Sequence, residues 1–293
     1  MGERLQVTAV VLIVGAAVMH ASWNGIAKAS KNIVALMWWA TVFGTIGYGV
    51  WLATGAGIFL SPNSRLPFLV SAICETGYFV TLVRGYSQGD LSLVYPISRG
   101  SAPIFAALLG AIVLAETLPL VGYFGIALMV VGVFVVSQPI GQAKMKFGFP
   151  PIIGDRAVGW ALASGVFIAI YSITDKIAVV ATNPLVYNWW VFAGNSILWT
   201  PFVWRRFNFK TNLDELRDNW GNVMVVGVLS VGAYAAALAA LALTSASYVV
   251  AGRSLSVIIG ACIGSFMLKE RFGAARILGA MLMVVGLAVI ALS

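Results

Sequence analysis

Charge is scarce in this chain, and so are the residues of metal and thiol chemistry. Of 293 residues only 10% are Asp, Glu, Lys or Arg, one is histidine and two are cysteine. A single histidine and two distant cysteines, Cys74 and Cys262, cannot build a His-based zinc site. His-Glu-x-x-His, Gly-x-Ser-x-Gly and a Walker loop are all missing, so an intramembrane enzyme or ATP-driven machine lacks its usual marks. No metal or cofactor is expected. Both cysteines fall in apolar stretches and read as small packing residues, not as a disulfide. The net charge of +8 is scattered along short loops with no soluble domain to carry it, so nucleic acid is not an expected partner.

What the chain has is hydrophobic length. Sixty per cent of it is apolar, and the mean hydropathy is +0.95. The apolar residues come in runs of the length that crosses a ~30 Å hydrocarbon core at ~1.5 Å per residue. Ten spans are expected, at about 5–27, 33–54, 67–87, 91–115, 119–137, 157–180, 184–204, 221–243, 247–268 and 274–292. Every backbone amide in lipid needs an internal partner, so the spans are helices. The alternating ten-residue segments of a barrel are not seen. The fold class is therefore an all-α polytopic membrane protein. Arg4 before an apolar run is the mark of a signal peptide, but the end of that run recurs later in the chain, so span 1 is read as a mature helix.

The recurrence covers the whole chain. Shifted by 151 residues, Trp38-Trp39 falls on Trp189-Trp190, and His20-x3-Asn24 on Tyr171-x3-Asp175. Shifted by 154, Arg99 and Glu116 fall on Arg253 and Glu270, and Met129-Val130-Val131-Gly132 on Met283-Val284-Val285-Gly286. The chain divides into a five-helix repeat at 1–137, a Gly/Pro-rich linker at 138–156 and a second repeat at 157–293. Five is odd, so the second copy enters the bilayer inverted. Inverted repeats build secondary transporters with a midplane site between the copies. Of 18 Lys and Arg, 12 sit in loops after odd-numbered spans, and only Arg4 and Arg65 on the other face. The positive-inside rule then puts the odd loops in the cytoplasm of a plasma (inner) membrane and both termini outside.

Small residues recur at matched places: Ala102, Ala106 and Gly110 against Ser256, Gly260 and Gly264, and Gly125 and Gly132 against Gly279 and Gly286. They suit close helix packing within one chain. Dimerisation through spans 5 and 10 is the alternative, so a monomer is favoured and a homodimer kept open.

The ordered motifs carry a resemblance. The first half has Tyr95-Pro-Ile-Ser-Arg-Gly-Ser-Ala-Pro, Leu114-Ala-Glu-Thr-Leu and Gly125-x6-Gly132. The second has Ala251-Gly-Arg-Ser-Leu, Leu268-Lys-Glu-Arg-Phe and Gly279-x6-Gly286. With ten spans in two repeats, the chain resembles the drug/metabolite transporter superfamily, specifically its EamA-type members. That resemblance implies a basket in which spans 1, 3, 4, 6, 8 and 9 surround a central cavity and spans 5 and 10 stand aside. It implies export of amino acids or other small metabolites, and the aromatic character here looks most like exporters that accept aromatic amino acids. Many members are thought to keep both termini in the cytoplasm, and the charge count here says the reverse.

Ten residues are candidates for substrate contact: His20, Trp23, Glu75, Tyr78, Tyr95, Arg99, Tyr171, Tyr234, Tyr248 and Arg253. Glu75, near the middle of span 3, is costly in lipid and needs a cavity or a partner; it is a proton-coupling or amine-binding carboxylate, or a structural one. Arg99 and Arg253 either snorkel or present a donor fork to a carboxylate or phosphate. Pro96 and Pro103 bracket Arg99 and suggest a broken helix there, so Arg99→Lys is expected to impair binding more than Arg253→Lys. His20, Trp23 and Asn24 share a face of span 1, and His20 is either a titrating group or a packing residue. Tyr171 and Asp175 form the matching face of span 6, with Asp175 read as an ion-pair or helix-end group beside Lys176. The tyrosines with Trp23 would line an aromatic cavity. Trp38, Trp39, Trp189, Trp190, Trp199, Trp204 and Trp220 read as an interfacial belt. The leading function is a secondary transporter of small metabolites, amino acids first. Transport of other organic ions, a channel or a lipid scramblase is the alternative.

Overall fold

The computed structural model describes residues 7–28, 30, 32–55, 57–88, 91–136, 156–206, 208–259 and 274–293. They form helices: α1 (Val7–Lys28), α2 (Ile33–Ala53), α3 (Pro62–Tyr86), α4 (Leu91–Val113), α5 (Leu120–Val136), α6 (Arg156–Ala181), α7 (Pro184–Arg206), α8 (Phe209–Leu243), α9 (Ala246–Arg253) and α10 (Ala274–Leu292). Five stretches, in α1, α2, α3, α6 and α8, are long and apolar enough to cross a bilayer. Glu270, Gly260, Gly264 and Cys262 lie outside the described residues, as does the linker up to Asp155.

Local chemistry sets the boundaries. Asn32 and Asn208 begin α2 and α8, their side-chain oxygens accepting the Ala35 and Thr211 amides at 3.2 and 2.8 Å. Pro62 occupies the first turn of α3, where it needs no amide partner, so the helix starts earlier than the expected residue 67. The segment around Leu213, before the apolar run expected from residue 221, is the first part of α8. Asn219 (φ −126°, ψ 23°) breaks the helix between that segment and the membrane part. The expected break around Arg99 is not where the chain interrupts its helix. α4 runs unbroken, whereas α9 stops at Arg253, turns at Ser254 and resumes.

The outside of the molecule is apolar and the inside is partly polar, as lipid demands. Val7, Val11, Val14 and Val18 form one exposed stripe of α1 at helical spacing. Ser64, Ser71, Ser98, Ser101, Ser164 and Ser172 are all buried. Ser98 and Ser164 hydroxyls meet at 2.7 Å between α4 and α6. Such side-chain bonds, with close backbone approach, hold helices together where lipid offers no hydrophobic drive.

The packing pairs come in exchanged couples. α3 packs on α6, and α8 on α1; α3 on α7, and α8 on α2; α4 on α6, and α9 on α1; α4 on α5, and α9 on α10. Three further pairs set a helix on its own counterpart in the other half: α2 with α7, α4 with α9, and α5 with α10. All three run antiparallel. In the first, Thr45 and Ser196 hydroxyls lie 3.2 Å apart, while Trp38 Nε1 donates to Thr200 Oγ1 at 3.0 Å and Trp189 Nε1 to Thr45 O at 2.9 Å. In the second, Ser247 faces Ala106 and Ser254 faces Arg99. In the third, a Cβ on Gly286 would lie 2.7 Å from Gly125 O, and one on Gly132 would lie 2.8 Å from Gly279 O. The matched glycines of spans 5 and 10 therefore pack on each other within one chain.

Four of the tryptophans assigned to a belt are helix connectors. Trp38 is buried, and the Trp39 and Trp190 indoles donate to Asn212 O and Ile58 O at 2.8 Å each. With Trp189 they sit between helices. Trp204 and Trp220, 57% and 68% exposed, keep surface positions.

Candidate substrate cavity

Polar side chains from both halves, among them His20, Glu75, Arg99, Asn195 and Arg253, line a cavity of about 70 Å³ bordered by α1, α2, α3, α4, α6, α7, α8 and α9. A few waters fill such a space, and typical ligand sites are larger (~300–1,000 Å³). The walls must move to admit an amino acid. α1 supplies His20 and Trp23, three residues apart on one face, their rings edge to face at 4.8 Å. α3 supplies Glu75, Tyr78 and Phe79, which share one face of the helix. α4 and α9 each supply one arginine, Arg99 and Arg253.

Arg99 is deeply held. It is 4% exposed, donates to His20 Nε2 and reaches the Tyr78 hydroxyl at 3.4 Å. Its guanidinium also lies 5.8 Å from the centre of the Tyr78 ring and of the Tyr95 ring. A guanidinium has only donors, so His20 Nε2 is the acceptor and its ring proton sits on Nδ1. Arg253 is half-buried and lies 5.9 Å from the Tyr234 ring centre. The tyrosines form a chain across the cavity, with Tyr171 edge to face at 6.4 Å from both Tyr78 and Tyr234.

Glu75 is fixed from the opposite half: Asn195 Nδ2 on α7 donates to its Oε2. Thr76 Oγ1, which lies 2.9 Å from the Ala72 carbonyl, is also 3.4 Å from Asn195 Oδ1. Asp175 is not the helix-end partner of Lys176. It is 1% exposed and accepts three hydroxyls: Ser71 at 2.6 Å and Tyr187 at 3.0 Å on one oxygen, Tyr234 at 2.5 Å on the other. Lys176 turns away and donates to the carbonyls of Leu241 and Thr244 at 2.6 and 2.8 Å, closing the end of α8. The carboxylate hub ties α3, α6, α7 and α8 together, and Ser64 and Thr182 hydroxyls, 2.8 Å apart, continue that seal towards the α6–α7 turn. By contrast His20, Trp23, Met37 and Thr41 carry the cavity towards the α1–α2 turn.

Eight of the ten candidates line this cavity: His20, Trp23, Glu75, Tyr78, Arg99, Tyr171, Tyr234 and Arg253. Tyr95 stands behind Arg99 and is not in the wall. Tyr248 is elsewhere, its hydroxyl 2.8 Å from Ser293 Oγ and against Gly122 of α5. The sequence reading missed Asn195, Phe79, Met37, Thr41, Phe192 and Ser230, and it placed Trp199 in the belt. Trp199 lines the cavity, its ring 4.2 Å from Phe79. These residues bring α2 and α7 into a wall the resemblance assigns to six other spans. Glu116 is accounted for differently: its carboxylate accepts the Ala246 amide at 2.7 Å and the Ser247 hydroxyl at 3.0 Å, capping α9. Ala115 (φ 52°) turns the chain so that this carboxylate folds back over Gly110, where a Cβ would come within 2.7 Å of it.

The EamA-like transporter family matches residues 7–138 and 155–292. The chain belongs to the EamA-like transporter family. As an EamA member it is an integral membrane protein and a transporter of small molecules, and the family's members are transporters, not enzymes. No curated protein matches the sequence. A solved structure titled only "Crystal structure of protein" superposes with a TM-score of 0.70 at 14% identity, covering 96% of this chain and 95% of that one. At that identity the likeness concerns the fold alone.

Proposed function

We propose that this EamA-type protein exports amino acids, aromatic ones included, by alternating access at a midplane site between two inverted five-helix repeats. Ten spans in two inverted copies are supported by the exchanged packing couples. The three pairs in which a helix packs on its own counterpart are antiparallel, which supports an axis that lies across the helices, in the membrane plane. The observation that carries the function is the cavity itself. It gathers a carboxylate, two guanidiniums and aromatic walls, with both halves contributing. A zwitterion with an apolar side chain is the ligand that uses all three. The cavity extends towards the α1–α2 turn, one of the loops after odd-numbered spans that together carry 12 of the 18 basic residues in the sequence, whereas the Asp175 hub closes the other side. On the positive-inside reading that face is cytoplasmic, the direction from which an exporter loads.

Glu75 is the proposed coupling group, facing His20, Arg99, Arg253, Tyr78, Tyr171 and Tyr234 around the cavity, with Asp175 beyond Tyr234. Two guanidiniums against one carboxylate favour organic anions as the second reading. Counterflow of radiolabelled aromatic, aliphatic and basic amino acids into proteoliposomes at two pH values tests the proposal. Saturable aromatic uptake, weakened by Tyr78→Ala and stripped of its pH dependence by Glu75→Gln, is expected. Folded protein that takes up no amino acid refutes the substrate class. Accumulation against a gradient that survives Glu75→Gln refutes the coupling role.

A further inference from the structure

We propose that Arg253, and not its counterpart Arg99, anchors the carboxylate of the transported molecule. This rests on the amino-acid reading above and makes it specific. The two arginines occupy equivalent places in the two halves, 154 residues apart, and both reach the cavity. Their surroundings differ. Arg99 is 4% exposed and committed to His20 and Tyr78. Arg253 is half-buried, and among the described residues its guanidinium makes no hydrogen bond and no ion pair; the Tyr234 ring lies 5.9 Å away, and the Glu75 and Asp175 carboxylates act on it through space without a bond.

One change between the repeats accompanies the difference. Where α1 offers Arg99 the acceptor nitrogen of His20, the residue 151 later on α6 is Tyr171. Tyr234, whose hydroxyl proton goes to Asp175 at 2.5 Å, presents its ring to Arg253, and no hydrogen bond joins the two. Arg253 therefore keeps its donors for something else. A guanidinium stays charged even in a protein interior, and a charge enclosed in a membrane protein needs a partner. A carboxylate satisfies the fork with two parallel hydrogen bonds, and the ring of Tyr234 steers the plane of the fork. The turn at Ser254, directly after Arg253, is where the described part of that span breaks its helix. Glu75, oriented by Asn195 in the same cavity, is the complementary group for an α-ammonium. The cavity wall has no lysine and a single uncommitted guanidinium, which suits a carboxylate better than a doubly charged phosphate. This reverses the expectation drawn from Pro96 and Pro103, which favoured Arg99.

The test uses the full chain in nanodiscs and measures competition against radiolabelled L-phenylalanine. The competitors are unlabelled L-phenylalanine, 3-phenylpropionate (no ammonium), phenethylamine (no carboxylate) and phenyl phosphate. Wild type is expected to prefer the two carboxylates over phenethylamine. Arg253→Gln is expected to weaken both by about 10- to 100-fold, the value of a hydrogen-bonded charged group, while phenethylamine is unchanged. Arg253→Lys keeps the charge without the fork and is expected to fall between. Arg99→Gln is expected to leave the ratio of L-phenylalanine to phenethylamine affinity as in wild type. An unchanged ratio in both monodisperse Arg253 variants overturns the anchor and leaves the amino-acid reading standing. A wild type that binds phenyl phosphate more tightly than 3-phenylpropionate also overturns it. A monodisperse wild type that binds no L-phenylalanine refutes the amino-acid reading and the anchor with it.

Discussion

Replacing Asp175 with alanine removes the acceptor shared by Ser71, Tyr187 and Tyr234, and its cost can be worked from the structure. Three hydroxyls lie 2.5–3.0 Å from a side chain that is 1% exposed. In soluble interiors each orphaned donor costs ~1–3 kcal/mol, which would sum to several kcal/mol. Membrane helices are more forgiving, because freed hydroxyls find backbone carbonyls and the unfolded helices find partners too. Interhelical side-chain bonds there average ~0.6 and reach ~1.7 kcal/mol. Ser172, which bonds the Ile168 carbonyl at 2.7 Å, shows the fallback open to a serine such as Ser71. Tyrosine hydroxyls lie too far from their own helix to use it. The expected loss is therefore about 2–4 kcal/mol for Asp175→Ala and about 1 kcal/mol for Tyr187→Phe. Steric trapping in bicelles would measure both. The double variant should cost little more than Asp175→Ala alone, because the second change deletes a bond the first has already broken. A loss below ~0.5 kcal/mol for Asp175→Ala, or full additivity in the double variant, would refute the hub.

Three further outcomes follow from the packing. Glu116→Ala should cost ~0.5–2 kcal/mol, the value of a helix cap, and Glu116→Gln less, read by the same unfolding assay; equal stability of wild type and Glu116→Ala would dismiss the cap. Gly286→Ala adds a Cβ 2.7 Å from both Gly125 O and Met129 Cγ, so α5 and α10 must separate, at ~1–3 kcal/mol; a neutral effect would mean that the two helices do not pack this way. Trp38→Phe should lose the bond to Thr200 and lower stability, whereas Trp220→Phe, on the surface, should not; thermal unfolding in detergent that ranks them the other way would restore Trp38 to the belt.

The extents of the helices were legible because lipid leaves an apolar run little choice but to be helical. α5, for example, spans Leu120–Val136 where 119–137 was expected. The recurrence was legible because rare residues return at nearly the same offset, Trp38-Trp39 at 151 and Arg99 with Glu116 at 154. Depth along a span was legible as well: Glu75 and Tyr78, read as central, line the cavity. What failed was the reading of direction around a helix and of partners across helices. Asp175 beside Lys176 looks like a local pair, yet adjacent helical residues point about 100° apart, and the two go to different neighbours. Trp199 lies near a span end, as belt residues do, but its face of α7 turns inward to Phe79. Asn195 carries no sequence signal, since an amide in a span shows its purpose only when Glu75 of another helix arrives beside it. Tyr248 failed for the same reason: α9 aims it at α5 and not at the cavity.

The central claim is that the cavity between the two halves is the transport path. Ala233 lines it without a hydrogen-bonding role, so a tryptophan there fills the space without removing any charged group. Counterflow of radiolabelled L-phenylalanine into proteoliposomes, measured side by side for wild type and Ala233→Trp, tests the claim most directly. Saturable uptake by wild type and none above empty liposomes by a folded Ala233→Trp is the expected result. Equal uptake by the two proteins would contradict it and place the path elsewhere.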